Sequence, residues 1–453
     1  MTDIKSYTRE NQSRFLDELF GLLRIPSVSP ERDHKKDMLR AAEYVMKAIL
    51  DAGADDAGIF TTKGNPVVFG EKNTGKDRPT ILIYGHYDVM PVEPLDLWKS
   101  SPFEPEIRDG RIYGRGANDD KGQLFMHIKA FEYMVRSGKL KCNVKFMIEG
   151  EEEIGSESLK TFCAQNKEML SGDIILVSDT SMIDEDIPSI TVGLRGICYF
   201  EVKVSGPNRE LHSGLYGGAV VNPANALAKI ITKLTDDQYR INIPGFYDDV
   251  EEIPESERNE LKKTPFRLEE FKESIGLTDT AGETGYSTLE RIGIRPSLDV
   301  NGIWGGYTGD GTKTIIPSDA YAKISTRLVP HQVPEKIREL FEKYLLEIAP
   351  SGVIVSVKYL HGGAGYVSPL SSKAYHAASK AYEKAFGKKP LPVRSGGSIP
   401  IIAEFEKLLG LKSILMGFGL DSDAIHSPNE NFRLNVFYKG IETISYFYDF
   451  FCV

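Results

Sequence analysis

The stretch from Thr80 to Gly122 constrains this chain more than any other. It opens on an apolar run, Ile81-Leu82-Ile83-Tyr84, that stops at Gly85-His86-Tyr87-Asp88. It closes on Gly114-Arg115-Gly116-Ala117-Asn118-Asp119-Asp120-Lys121-Gly122. A short apolar run bounded by glycine reads as a buried strand. Imidazole and carboxylate at its carboxyl end stand where open α/β sheets bind ligands. The glycine-rich loop adds carboxylates where backbone can approach a ligand closely. A metal site is the first expectation, provided that other segments complete it.

Phe15, Leu16, Leu19, Phe20 and Leu23 recur at helical spacing and predict an amphipathic helix. Leu39, Ala42, Val45 and Met46 predict a second over 36–52. Residues 67–70, 81–84, 144–148 and 174–177 read as short strands, and 122–135 as a helix. Strands alternating with helices predict a mostly parallel sheet with helices on both faces. Near Ile190 the pattern changes. Residues 196–204, 320–328 and 353–359 alternate like half-buried strands, and 248–272 is a charge-dense, solvated helical excursion. From about Ser368 the first pattern returns, with a helix at 373–386, a strand at 413–416 and a helix at 435–450. The expected fold class is therefore α/β. A mostly parallel-sheet domain, 1–194 with 367–453, is interrupted by an α+β domain at 195–366. A length of 453 residues suits two cores better than one.

A net charge of −10 argues against nucleic acid or an anionic membrane as partner. No apolar run is long enough for a membrane span. The polar start, Met1-Thr2-Asp3-Ile4-Lys5, has no signal-peptide core, so a cytoplasmic location is expected. Cys142, Cys163, Cys198 and Cys452 are scattered in apolar contexts and read as buried thiols.

Imidazole and carboxylate donors suit zinc, manganese or cobalt. They recur after predicted strands: His86 and Asp88; Asp119-Asp120; Glu149-Gly150-Glu151-Glu152-Glu153; Ser178-Asp179-Thr180; and His426 in Ala424-Ile425-His426-Ser427-Pro428-Asn429-Glu430. Each has an ordinary use alone. An Asp caps a helix, and a Glu run favours a helix N-terminus. Their coincidence on one sheet edge is different, because converging carboxylates repel unless cations join them. No activated Ser or Cys motif accompanies them.

These motifs are joined by Tyr113-Gly114-Arg115-Gly116, Gly155-Ser156, Gly193-Leu194-Arg195-Gly196, Leu211-His212-Ser213-Gly214 and Ser395-Gly396-Gly397-Ser398-Ile399-Pro400. Together they resemble the dinuclear metallopeptidase family of carnosinase, aminoacylase, acetylornithine deacetylase, succinyl-diaminopimelate desuccinylase and glutamate carboxypeptidase. The carnosinase-like dipeptidase branch is the nearest, and the resemblance runs from Phe15 to Phe447. It implies that 195–366 is a lid and dimerisation domain and that the protein is a homodimer. It implies two divalent ions, zinc foremost, with manganese or cobalt as alternatives. Asp119 would bridge them. His86 and Asp179 would complete one shell, and Glu153 and His426 the other. Asp88 would orient His86. The Asp119–Asp120 peptide bond would be cis.

Three consecutive glutamates blur the next assignment. Anchoring on Gly155-Ser156 makes Glu152 the general base and leaves Glu151 solvated; a slip of one residue moves base and ligand to Glu151 and Glu152. By the same resemblance, His212 would reach the other subunit's active site and stabilise an oxyanion. Arg327 would grip a substrate carboxylate, with Thr314, His361 and Ser398 on the substrate side. His34, His127, His331 and His376 show no acidic companions, and Trp98 and Trp304 read as packing anchors. The expected activity is hydrolysis of a small peptide with a free C-terminal carboxylate, most simply a dipeptide. Water activated between the ions would attack, and Glu152 would move its proton. The alternative is an N-acyl-amino-acid deacylase with the same metal site. A non-catalytic, metal-stabilised binding protein is the third reading, and an intact base argues against it.

Overall fold

The apolar runs form one mixed sheet in the computed structural model, which describes residues 3–453. Its order is Asp56–Phe60, Val67–Lys72, Asn143–Glu149, Thr80–His86, Ile174–Val177, Ser413–Leu415, then Ser189–Leu194. The centre is parallel: Thr80–His86 pairs with Asn143–Glu149 and with Ile174–Val177, which also pairs with Ser413–Leu415. The outer pairings are antiparallel. Thr80–His86 is buried from Ile81 onwards. A strand covered on both faces needs a continuous apolar run, which is what its sequence shows. Parallel neighbours end on the same edge, so His86, Glu149 and the turn after Val177 emerge together.

The chain divides into two units. One comprises the chain up to Val192, with Ser368–Val393 and Glu404–Val453; the other is Gly193–Val367 with Arg394–Ala403. The sequence pattern placed 394–403 in the first domain. The structure puts it in the second, because Arg195 hydrogen-bonds the carbonyls of Gly396 and Gly397.

In the first unit, the helix Lys121–Arg136 is buried along nearly its whole length. It packs on Leu434–Phe451, which packs on Lys373–Phe386. Its entry requires Gly122, where a Cβ would stand 1.9 Å from Ala117 O. On Lys35–Asp51 the buried face is Met38, Ala41, Ala42, Val45 and Ile49. Leu39 is 47% exposed, contrary to expectation, because it lies one residue, about 100°, off that stripe.

The second unit holds an antiparallel sheet in the order Ser297–Gly305, Asp319–Leu328, Gly196–Ser205, Ile354–Gly363. Cys198, Phe200, Val202 and Val204 alternate onto one face and join Ile337, Phe341 and Leu345 of the helix Pro334–Ile348 in one core. Phe200 and Phe341 stack at 4.1 Å. Trp304 is no buried anchor: it lies on an edge strand, 43% exposed, and stacks on Tyr321 at 5.3 Å. The charge-dense excursion forms Glu255–Leu261 and Leu268–Ser274, followed by Thr288–Gly293. Behind it, buried Arg295 grips buried Glu283 through two bonds of 2.8 and 2.7 Å. All four cysteines are buried free thiols. Among the described residues no helix is long and apolar enough to cross a membrane.

Candidate metal centre

Five side chains from five segments meet in the first unit. His86 ends its strand, Asp119 precedes the helix Lys121–Arg136, and Glu153 lies in the turn Glu152–Ile154. Asp179 follows Ile174–Val177, and His426 lies in the loop after Ser413–Leu415. Their donor atoms form two groups, His86 with Asp119 and Asp179, and Asp119 with Glu153 and His426. Within each, the atoms lie within 4.8 Å of one another. Asp119 serves both. Its Oδ1 is 3.1 Å from His86 Nε2 and its Oδ2 is 2.9 Å from His426 Nε2. His86 Nε2 stands 3.9 Å from Asp179 Oδ2, and His426 Nε2 stands 3.1 Å from Glu153 Oε2.

Asp88 holds the far side of His86. Nδ1 meets the Asp88 carbonyl at 3.1 Å and its carboxylate at 3.3 Å. The same carboxylate accepts the N–H groups of Glu152 and Glu153 at 3.3 and 3.2 Å. One acid therefore fixes both the imidazole and the glutamate turn. Glu151 is not solvated. It is 6% exposed, and its carboxylate accepts the N–H groups of Asn65 and Ser158 at 2.8 and 2.9 Å. The second of these bonds satisfies an open amide at the start of the helix Glu157–Gln165.

Burial opposes ionisation of Asp119, but hydrogen bonds from His426 and His86 hold its carboxyl well below the usual range. Its neighbours move the other way. Burial, then the Asp119 charge, pushes Asp179 up to about 7. Burial, then the Asp179 charge, raises Glu152 and Asp120. Hydrogen bonds to Asp119 and Glu153 raise His426 to about 10. Asp120 Oδ1 is buried with no hydrogen-bond partner. Crowded oxygen and imidazole donors that share one carboxylate fit a pair of divalent cations, which would relieve the repulsion.

Glu430 carries a role that its place in the His426 motif did not reveal. It accepts Arg115 Nη1 at 2.8 Å and the N–H groups of Gly116, Asn118 and Asp119 at 3.0, 3.0 and 3.1 Å. Both Arg115 and Glu430 are buried. Glu430→Gln is expected to cost about 3–5 kcal/mol, as a buried pair losing one charge does. A lowered urea midpoint would show it; an unchanged midpoint would contradict the anchoring role. The Asp119–Asp120 peptide bond is cis. His426 and Asn429 take left-handed φ of 59° and 65°. Asn429 pins that turn by bonding Lys99 N and Leu97 O, each at 2.8 Å.

The remaining candidates belong to the second unit. His212 pairs with Ile315, beside Thr314, whose carbonyl accepts Ser213 N at 3.0 Å. His212 Nδ1 accepts Gly214 N at 3.0 Å, which leaves the proton of the neutral ring on Nε2. Arg327 donates to Ser398 Oγ at 2.8 Å, and His361 stacks on Tyr199 at 5.4 Å. Two other histidines do have acidic companions, His34 with Asp37 at 3.0 Å and His331 with Glu251 at 3.4 Å. Buried His127 bonds Ser178 Oγ at 2.7 Å.

Residues 82–449 match the Peptidase family M20/M25/M40. The chain is 32% identical over 449 residues to the Cys-Gly metallodipeptidase of Schizosaccharomyces pombe, covering 96% of this chain and 94% of that protein. It is 32% identical over 391 residues to the Beta-Ala-His dipeptidase of Homo sapiens, covering 84% of this chain and 77% of that protein. The M20 family metallo-carboxypeptidase Sso-CP2 of Sulfolobus solfataricus is similar in structure, with a TM-score of 0.86 at 33% identity. That likeness covers 96% of this chain and 99% of the other.

Proposed function

The chain belongs to the peptidase family M20/M25/M40 and is a metal-dependent dipeptidase, and from that premise we propose that Glu152 carries the proton in its amide hydrolysis. The observation that carries the reading is Asp119, with one oxygen toward His86 and the other toward His426. Two divalent ions, which we assign as zinc over manganese or cobalt, would be held by His86, Asp119 and Asp179 and by Asp119, Glu153 and His426, and would supply the Lewis acidity that acidifies water and polarises a carbonyl.

Glu152 sits in the turn that Asp88 holds. It accepts a proton from the attacking water and returns it to the leaving amine, so one carboxylate serves both steps. Asp88 keeps the His86 proton on Nδ1, which leaves the Nε2 lone pair to the site. The partner subunit's His212 stabilises the oxyanion through its Nε2–H, which makes a homodimer the working unit. Arg327, steered by Ser398, grips the free carboxylate of a small peptide. Thr314 and His361 line the substrate side. The compartment is the cytoplasm, in keeping with four free thiols.

Metal-reconstituted protein is expected to cleave dipeptides. It should cleave their C-terminal amides about tenfold or more less efficiently, because the charge-assisted bonds to Arg327 are lost. N-acyl amino acids should turn over more slowly than dipeptides. The reverse order in the same assay would replace this reading with a deacylase, and full metal occupancy without any hydrolysis would make the protein a binding module.

A further inference from the structure

Two motifs take no part in the site described so far, Gly193-Leu194-Arg195-Gly196 and Ser395-Gly396-Gly397, and the structure docks them on one another. Arg195 N donates to Gly397 O at 3.1 Å, and Arg195 Nε donates to Gly396 O at 3.1 Å. The next residue, Ser398, is the one whose hydroxyl meets Arg327. Arg195 Nη1 reaches the other way, to the carbonyls of Arg291 and Arg295 at 3.4 and 3.3 Å. Those carbonyls lie at and beyond the end of Thr288–Gly293, next to the Arg295–Glu283 pair.

The packing leaves no slack. A Cβ on Gly396 would lie 2.8 Å from the Ile292 side chain and 3.0 Å from Ile292 O. A Cβ on Gly293 would lie 2.5 Å from Arg394 O. The 394–398 segment is thus seated on a short helix by two close approaches, at Arg394 and at Gly396, and tied to it by one guanidinium. Burial, then the neighbouring Arg327 charge, lowers Arg195 to about 10, so the two cations also sense each other.

We propose that Arg195 is a positioning residue for the substrate-carboxylate grip, holding the Gly396–Gly397 turn so that Ser398 fixes the Arg327 guanidinium. The role rests on the reading of Arg327 given above. A planar fork suits it, since carbonyls on opposite sides must be bonded at once.

The test compares a neutral dipeptide with its C-terminal amide on the metal-loaded enzyme. Arg195→Gln is expected to raise KM for the dipeptide about tenfold, the worth of one charge-assisted bond, with kcat and the amide's KM nearly unchanged. Gly396→Ala displaces the turn while keeping both charges and should act in the same direction; it carries the test if Arg195→Gln fails to fold by thermal unfolding. An equal loss on dipeptide and amide, or none on either, overturns the proposal. Arg327→Met is run in parallel. If it leaves the dipeptide-to-amide ratio at the wild-type value, the reading of Arg327 itself is wrong and the role of Arg195 falls with it. If Arg327→Met collapses the ratio and the Arg195 and Gly396 variants do not, only the positioning role is wrong.

Discussion

Glu152→Gln is expected to lower kcat roughly a thousandfold while both ions stay bound and KM changes little. Glutamine keeps the shape of the side chain and its hydrogen-bonding reach but cannot take a proton from water. The turn should not move, because it is held through backbone N–H groups by Asp88 rather than through the Glu152 side chain. Steady-state hydrolysis and metal content measured on the same sample separate lost chemistry from lost ions. Glu151→Gln is the natural comparison. Its carboxylate is engaged by Asn65 and Ser158, so that variant should lose stability and keep turnover. If turnover instead vanished in Glu151→Gln and survived in Glu152→Gln, the base would have to be moved by one residue.

The second large effect is expected at Asp119. Its two oxygens face different histidines, so Asp119→Ala removes a donor from both groups at once. Metal content after dialysis should fall for both ions together, and dipeptide hydrolysis should drop below detection. Asp179→Ala and His426→Ala each remove a donor from one group only, and each should retain one ion. Retention of an ion at wild-type affinity in Asp119→Ala would show that the carboxylate is not shared.

The strand ends were legible because physics writes them plainly. A strand buried on both faces is a run such as Ile81 to Tyr84, and chemistry placed just after it falls on a predictable edge. The strand order was not legible. Ser413–Leu415 pairs with Ile174–Val177 across a long stretch of chain, and nothing local in so short a strand names that neighbour. Glu430 was missed for a related reason. Most of its partners are backbone N–H groups of Gly116, Asn118 and Asp119, and every residue but proline has one. Glu151 looked exposed because three adjacent glutamates are chemically alike until the fold assigns two of its oxygens to distant amides. The companions of His34 and His331 differ in kind: Asp37 lies one helical turn away and was readable, whereas Glu251 is brought in by tertiary structure.

The distribution of the candidate metal donors along the chain bears on how the protein is made. Synthesis delivers His86, Asp119, Glu153 and Asp179 early, while Ser413–Leu415, His426 and Glu430 come late. Until they emerge, Ile174–Val177 lacks its Ser413–Leu415 neighbour and presents unpaired backbone on that side. The loop before Lys121 meanwhile lacks the carboxylate that collects its amides. A nascent fragment carries all of the His86, Asp119 and Asp179 group and only Asp119 and Glu153 of the group that His426 completes. The first group of donors is therefore complete long before the second, and a chain that stops short of His426 is expected to lack one donor of the second group.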